Sequence, residues 1–498
     1  MSVVIVGGSV SGLSVGLFAA RRGVEVTIVD ADDATDPSLP FDEARARTTR
    51  RPTPQSAHSH AFLAKAHRIL SDEAPDVLDA FAQHGVESVR LADALPASLV
   101  DRTTRPGDDD LVVLRARRST FEGVLRRVVA AEPGVTIRSG VDVSDLLYEQ
   151  ADRHRPPRVV GVDTDCGPII GDLVIDASGR RGQTPQWLSA AGIDLHEEVG
   201  ACGIAYYTRF YRLYVGERLG NLNRGYTAGS SFDRYSSLVF PGDSGSFSVT
   251  FGVLPEDAAL RKLRHDASFD AAARSIPVVA DWVERAEPIS GARSMTGMKN
   301  RLRRLVSGSD DARTPLVTGL FPISDAAGIS NPAHSRGCSL ALGHAVRLAD
   351  LVAQAGRDHS VTDADLMLMA DDIISDELEP WIEDSRRQDE ARLSRWRPDG
   401  DHVAPTIPDG EIANGEAWIA AHHDRDVWSR FTRLQQLLVS APEVLADADT
   451  VRRVRAVQRR GLGLPPIEGP DHDALAALVA AHAPSAREVR SGRLAATA

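Results

Sequence analysis

Three cysteines in 498 residues, Cys166, Cys202 and Cys338, are too few and too scattered for a disulfide framework or a metal-ligand spacing. A reducing, cytoplasmic setting is therefore expected. Lysine occurs only at Lys65, Lys262 and Lys299, so arginine carries almost all the positive charge. That charge is itself outweighed: 57 Lys and Arg against 70 Asp and Glu leave a net charge of −13. Such a balance argues against nucleic acid or an anionic membrane as the main partner. No apolar run approaches the roughly 20 residues of a membrane span, and no signal-type segment precedes the first strand, so a soluble chain is expected. Internal repeats and low-complexity tracts are absent from the sequence. The length exceeds what one simple core organises, which implies two or three domains.

What is present is concentrated in the first thirty residues. Ser2 to Val6 is a β-branched apolar run, broken by Gly7-Gly8-Ser9-Val10-Ser11-Gly12. Leu13 to Arg22 has helical spacing, Gly23 stops it, and Val24 to Val29 is a second strand ending at Asp30. Strand, glycine turn, helix, strand and acid make a dinucleotide-binding unit. Gly7 permits the sharp turn and Gly12 the close helix packing. The helix N-terminus presents free N–H groups to a pyrophosphate. Asp30 stands where a carboxylate accepts hydrogen bonds from a ribose. Ser9 replaces the usual middle glycine, and its hydroxyl is a candidate phosphate ligand.

Further along, Arg45, Arg47, Arg50 and Arg51 form a basic segment in which Arg47 is a candidate cofactor contact. His58 and His60 precede a helix that runs through Phe62, Ala66, Ile69 and Leu70. With no third ligand nearby they are not a metal pair. They read either as structural histidines or as neighbours of a bound ring. Arg118 opens another amphipathic helix, where a cation opposes the dipole unless it faces an anion or a carbonyl. Asp176-Ala177-Ser178-Gly179 ends a buried strand that returns beneath the cofactor. Between Gly203 and Val253 the pattern turns to alternation, an antiparallel sheet suited to a substrate domain. Its candidate wall residues are Tyr206, Thr208, Phe247, Val249 and Phe251, with the inner face left open. Ser324-Asp325-Ala326 and Ser335-Arg336-Gly337 then prepare a helix, and a helical C-terminal region follows.

Three separated turns, at Gly7–Gly12, Asp176–Gly179 and Ser324–Ala326, occur in the order of the FAD-dependent monooxygenases built on the p-hydroxybenzoate hydroxylase fold. The chain resembles that family from Ser2 to about Ala355. Pro54-Gln55 with His58-Ser59-His60, and Asn331-Pro332 through Cys338, resemble a bacterial branch of secondary metabolism that includes polyether epoxidases. The resemblance implies an α/β fold: a Rossmann-like FAD-binding domain (GR2 type) over 1–85, 115–190 and 301–355. It also implies an inserted antiparallel β-sheet substrate domain over 86–114 and 191–300, and a helical C-terminal region over 356–498. Gly7, Ser9 and Gly12 would hold the FAD pyrophosphate and Asp30 the ribose. Arg118 would contact the flavin side, Asp325 the ribityl or pyrophosphate portion, and the Gly337 region the isoalloxazine. The implied activity is hydroxylation or epoxidation of an apolar or aromatic small molecule through a flavin C4a-hydroperoxide. O₂ would be co-substrate and NAD(P)H the direct or indirect reductant.

Two positions depart from the family pattern. Ser324-Asp325 replaces Gly-Asp, and Ser178-Gly179 replaces the Asp-Gly pair tied to NADPH use. The second departure points toward a separate flavin reductase. It also keeps open an FAD-dependent reductase or desaturase of an isoprenoid-like substrate. A non-enzymatic flavin-binding sensor is a further alternative. A halogenase is disfavoured because no two of the six tryptophans stand two residues apart, so the Trp-x-Trp-x-Ile-Pro signature is missing.

Overall fold

Apolar, β-branched segments that are buried on both faces become parallel strands, and that is the fate of β1 (Ser2–Val6). The computed structural model describes residues 1–33, 54–149, 155–308, 312–397 and 405–484. Arg47, like the rest of its basic segment, lies outside them. β1 leads through the glycine turn into α1 (Val10–Arg21) and β2 (Glu25–Asp30). After α2 (Ala64–Glu73) and α3 (Arg118–Ala131) comes β3 (Val135–Ser139), and later β4 (Leu173–Asp176).

An antiparallel unit follows, made of β5 (Ala205–Leu213), β6 (Ala228–Ser231), β7 (Tyr235–Pro241) and β8 (Ser246–Val253). Behind it stand α4 (Asp266–Arg274) and α5 (Pro277–Val283). β9 (Lys299–Arg304) and β10 (Leu320–Pro322) return to the first unit. The chain then runs through α6 (Gly337–Ala355), α7 (Asp363–Glu377), α8 (Glu379–Trp396), α9 (Asn414–Ala421), α10 (Arg425–Gln435) and α11 (His472–Ala481).

The parallel sheet has the order β10-β4-β1-β2-β3. Its core joins β1, β2 and β4 to α1, α3 and α6 through Ile5, Leu17, Phe121, Ile175 and Leu348. The antiparallel sheet runs β6-β7-β8-β5, and one face of it packs on α4, α5 and α11 through Phe251, Phe269, Trp282 and Leu475. A third core, with Ile382, Val427 and Phe431, belongs to the C-terminal helices. Among the described residues no helix is long and apolar enough to cross a membrane, and the three cysteines are unpaired.

One local expectation needs correction. Segment 86–114 does not join the substrate sheet: Glu87–Arg90 and Val112–Arg115 pair with each other as a two-stranded ribbon, and Leu114 also bridges Phe62. Asp108, between them, is buried against Arg425 of α10, which ties this segment to the C-terminal helices. Val135–Ser139 pairs in parallel with β2, and Val143–Tyr148 with Val159–Thr164 forms a separate antiparallel layer.

Candidate active site

The turn after β1 is closed by backbone contacts that leave no room for side chains. Gly7 has φ +108°, and a Cβ there would lie 2.5 Å from the Ala177 carbonyl oxygen. A Cβ on Gly12 would lie 1.8 Å from the Gly7 oxygen. The N-terminus of α1 is thus held open against the end of β4, with its first amides unsatisfied by the helix itself.

Ser9, the candidate phosphate ligand, has its hydroxyl engaged by two side chains. Its Oγ donates to Glu122 Oε1 at 2.6 Å and accepts from Arg118 Nη2 at 3.0 Å. Asp30 is also engaged: Arg126 Nη1 lies 2.6 Å from its Oδ2, and Arg126 Nη2 donates to Ser139 Oγ. Glu122 and Arg126 are site residues that sequence reasoning missed. The available signal was Arg118, Glu122 and Arg126 at i, i+4 and i+8, one charged stripe along α3.

Arg118 connects this turn to the second half of the site. Its Nε pairs with Glu122 at 2.9 Å, and its Nη1 donates to His60 Nε2 at 3.1 Å. His60 Nδ1 faces the His58 carbonyl at 3.0 Å, so Nδ1 carries the proton and Nε2 accepts. Burial, helped by Arg118, pushes the His60 pKa down to about 3. His58 sits 3.0 Å from Thr208 Oγ1, and burial with Arg180 and Arg293 nearby lowers it to about 4. Both rings are therefore neutral near pH 7.

Asp325 follows Ser324, whose φ of +53° makes the turn. Burial raises the Asp325 carboxyl, while Arg118, Arg180 and Arg301 pull it back down. Arg301 donates Nη2 to the Asp325 carbonyl at 2.9 Å, and its buried Nε has no hydrogen-bond partner. Arg180 and Arg301 are further residues the sequence did not single out.

Gly337 begins α6 and faces open space. The loop before it is tied down by Asn331, whose Oδ1 accepts from Ala333 N at 2.9 Å and from Tyr206 OH at 3.1 Å. Asp389 of α8 receives Asn331 Nδ2 at 2.6 Å and Asn300 Nδ2 at 2.8 Å. The C-terminal region thereby holds the lead-in to α6.

A cavity of about 1590 Å³ opens between the antiparallel sheet, this loop and the C-terminal helices. His58, Tyr206, Thr208 and Thr250 line it, as does His334, whose buried Nε2 lacks a partner. The register decides which sheet face is open: Tyr206 and Thr208 stand opposite Gly252 and Thr250, while Phe247, Val249 and Phe251 stand opposite Tyr211, Arg209 and Tyr207. Phe247, Val249 and Phe251 are fully buried on the far face and are not cavity walls. Phe251 meets Phe269 edge-on at 5.2 Å and Phe247 meets Trp282 at 5.3 Å. Hydroxyls cover the open face instead, with Ser59 Oγ 2.6 Å from Thr250 Oγ1 and Thr250 2.8 Å from Thr208.

This architecture is the fold of FAD-dependent monooxygenases and flavin-dependent halogenases. The flavoprotein/dehydrogenase from Cytophaga hutchinsonii superposes with a TM-score of 0.60 at 14% identity, over 93% of this chain and 100% of that one. The flavin-dependent halogenase CmlS gives 0.56 at 17%, over 92% and 77%. PqsL of P. aeruginosa, solved with 2-aminobenzoylacetate, gives 0.54 at 14%, over 80% and 97%. In sequence, Protein Rv3254 of Mycobacterium tuberculosis is 25% identical over 372 residues, 68% of this chain and 71% of its own length. No family model matches the chain.

Proposed function

We propose that the chain is an FAD-dependent monooxygenase that places one oxygen atom on an apolar or aromatic small molecule. The observation that carries this reading is the side-chain path Ser9–Arg118–His60, joined through the His58 carbonyl to His58 and Thr208. It runs without a gap from the dinucleotide turn to the open face of the substrate sheet.

The residues fit FAD. A turn without room for a Cβ at Gly7 or Gly12 suits a diphosphate at the α1 N-terminus. Arg118, Arg180 and Arg301 surround Asp325 with more positive than negative charge, and the orphaned Arg301 Nε still needs an acceptor. Gly7, Gly12 and the first amides of α1 would hold the pyrophosphate, Asp30 with Arg126 the ribose, Asp325 the central portion, and the Gly337 amide a ring carbonyl. When bound and reduced, FAD supplies the activation of O₂. The protein's share is to bind, orient and keep water out. The neutral His58 and the hydroxyls of Thr208 and Thr250 orient polar groups of the substrate without competing as charges. Electrons come from NAD(P)H through a separate reductase. Ser178 supports this: its N donates to Asp176 Oδ1 at 3.0 Å and its hydroxyl to the same oxygen, so the turn is closed on itself.

The test is FAD titration of the purified protein, followed by reduction and oxygen uptake with candidate substrates. Stoichiometric FAD binding with oxygen incorporated into product supports the proposal. Turnover without O₂ supports the reductase or desaturase, and FAD binding without turnover supports a sensor.

A further inference from the structure

The cavity wall carries a positive charge, on Arg224, that no carboxylate among the described residues answers. Arg224 lies in the loop before β6, fixed by a backbone hydrogen bond from its N–H to Thr227 at 3.0 Å. It lines the cavity, and its guanidinium stacks over the Trp418 ring of α9 at 4.9 Å. Among the described residues no carboxylate pairs with it. Scarcity of acids is not the reason, since the chain carries 70 of them against 57 basic residues. Two carboxylates lining the same cavity are committed elsewhere: Asp384 to Arg336, and Glu416 to Arg455. Burial accordingly lowers the Arg224 pKa, with only the Tyr226 phenol acting against it. Arg224 is half-buried, and a ligand that supplies the anion adds a charge-assisted pair that the described fold does not provide.

We propose that Arg224 is the recognition residue for a carboxylate at one end of an elongated, otherwise apolar substrate. A single carboxylate suffices locally: of the other arginines lining the cavity, Arg347, Arg387 and Arg392 already pair with acids and Arg68 and Arg395 are exposed, while the adjacent His422 is kept neutral by burial, its Nδ1 facing the Trp418 carbonyl at 2.9 Å. A planar guanidinium also matches a carboxylate through two parallel hydrogen bonds. Leu238 and Phe240 on the open face of β7 offer apolar contact next to it.

The sheet sets the length of the ligand. The register sets Gly229 of β6 in line with Leu238, Thr250 and Thr208; Arg224 lies in the loop leading into β6, and His58 meets Thr208 at the other end of the open face. Three inter-strand steps span roughly 14 Å. A carboxylate at Arg224 therefore directs the far end of a medium-chain or polycyclic acid to the His58 side, beside Arg180 and Arg293. Thr250 and Ser236 lie along the way and can meet an intervening hydroxyl or carbonyl. Only the claim that this far end reacts rests on the monooxygenase reading; the anion site stands on Arg224 alone.

The experiment titrates FAD-loaded protein with dodecanoate and with biphenylcarboxylate, each compared with its primary amide. Calorimetry and tryptophan fluorescence follow binding. At least one acid should bind about tenfold more tightly than its amide, the size expected for a charge-assisted pair. Arg224→Gln should erase the preference and Arg224→Lys restore part of it, with FAD content unchanged. The proposal is overturned if neither acid outbinds its amide, including the case in which none binds. It is equally overturned if Arg224→Gln keeps the preference. Loss of oxygen transfer with the acid preference intact counts against the monooxygenase reading and leaves Arg224 in its role.

Discussion

Arg118 Nη1 donates to His60 Nε2 at 3.1 Å, and this one contact joins the dinucleotide turn to the segment that lines the substrate cavity. Arg118 also carries Glu122, whose side chain is nearly inaccessible. Arg118→Ala should therefore cost about 3–5 kcal/mol of stability in urea titrations, because it removes one member of a buried ion pair and leaves the other. Arg118→Ala with Glu122→Gln should recover much of that stability while FAD binding stays weak. Recovery of both together would make Arg118 a purely structural residue.

Acid should destabilise the fold earlier than carboxylate protonation alone explains. His58 and His60 are held near 4 and 3, against an ordinary value of 6.5. As pH falls below about 6.5, protons bind the unfolded chain first, so stability drops until the folded-state values are reached. For His58 the full effect is on the order of 3 kcal/mol. Urea midpoints at pH 7.5 and 5.5 check this, and His58→Asn should flatten the dependence.

Gly12→Val should abolish FAD binding, since even the first added carbon meets the Gly7 oxygen. Visible flavin absorbance after gel filtration measures it. A variant that retains flavin like the parent protein contradicts the assignment of this turn.

Thr208→Trp and Phe251→Ala should separate the two faces of the sheet. The first fills the cavity and should raise KM with FAD retained. The second removes a core ring against Phe269 and should cost about 3–5 kcal/mol of stability, with KM little changed.

Anaerobic mixing with NADPH or NADH should leave the flavin oxidised for many turnovers' time, with reduction restored by a separate flavin reductase. Rapid bleaching by either nucleotide at micromolar concentration means that electrons enter directly.

The glycine turn was legible because each residue in it answers a local steric demand, and the same holds for the parallel strands built from β-branched runs. Arg126 was not, since its partner Asp30 is 96 residues away and only the packing of α3 brings them together. The alternation of Ser248 and Thr250 with Phe247, Val249 and Phe251 revealed two faces without saying which one is open. The helices that cover the aromatic face, including α11 from the far end of the chain, decide that. Arg224, in a loop, and His334, in a short turn, have no periodicity to mark them, and their interest follows from what they lack among the described residues: a carboxylate for Arg224 and a hydrogen-bond partner for His334 Nε2.

The central claim is oxygen transfer on a bound flavin, and mass spectrometry under isotopically labelled O₂ tests it most directly. Photoreduced, FAD-loaded protein is mixed with a small-molecule extract of its own cells and exposed to the labelled gas, with the Gly12→Val protein as control. The account predicts at least one compound that gains a single labelled oxygen atom, absent from the control. Products oxidised without label, or oxygen released entirely as hydrogen peroxide, would contradict it.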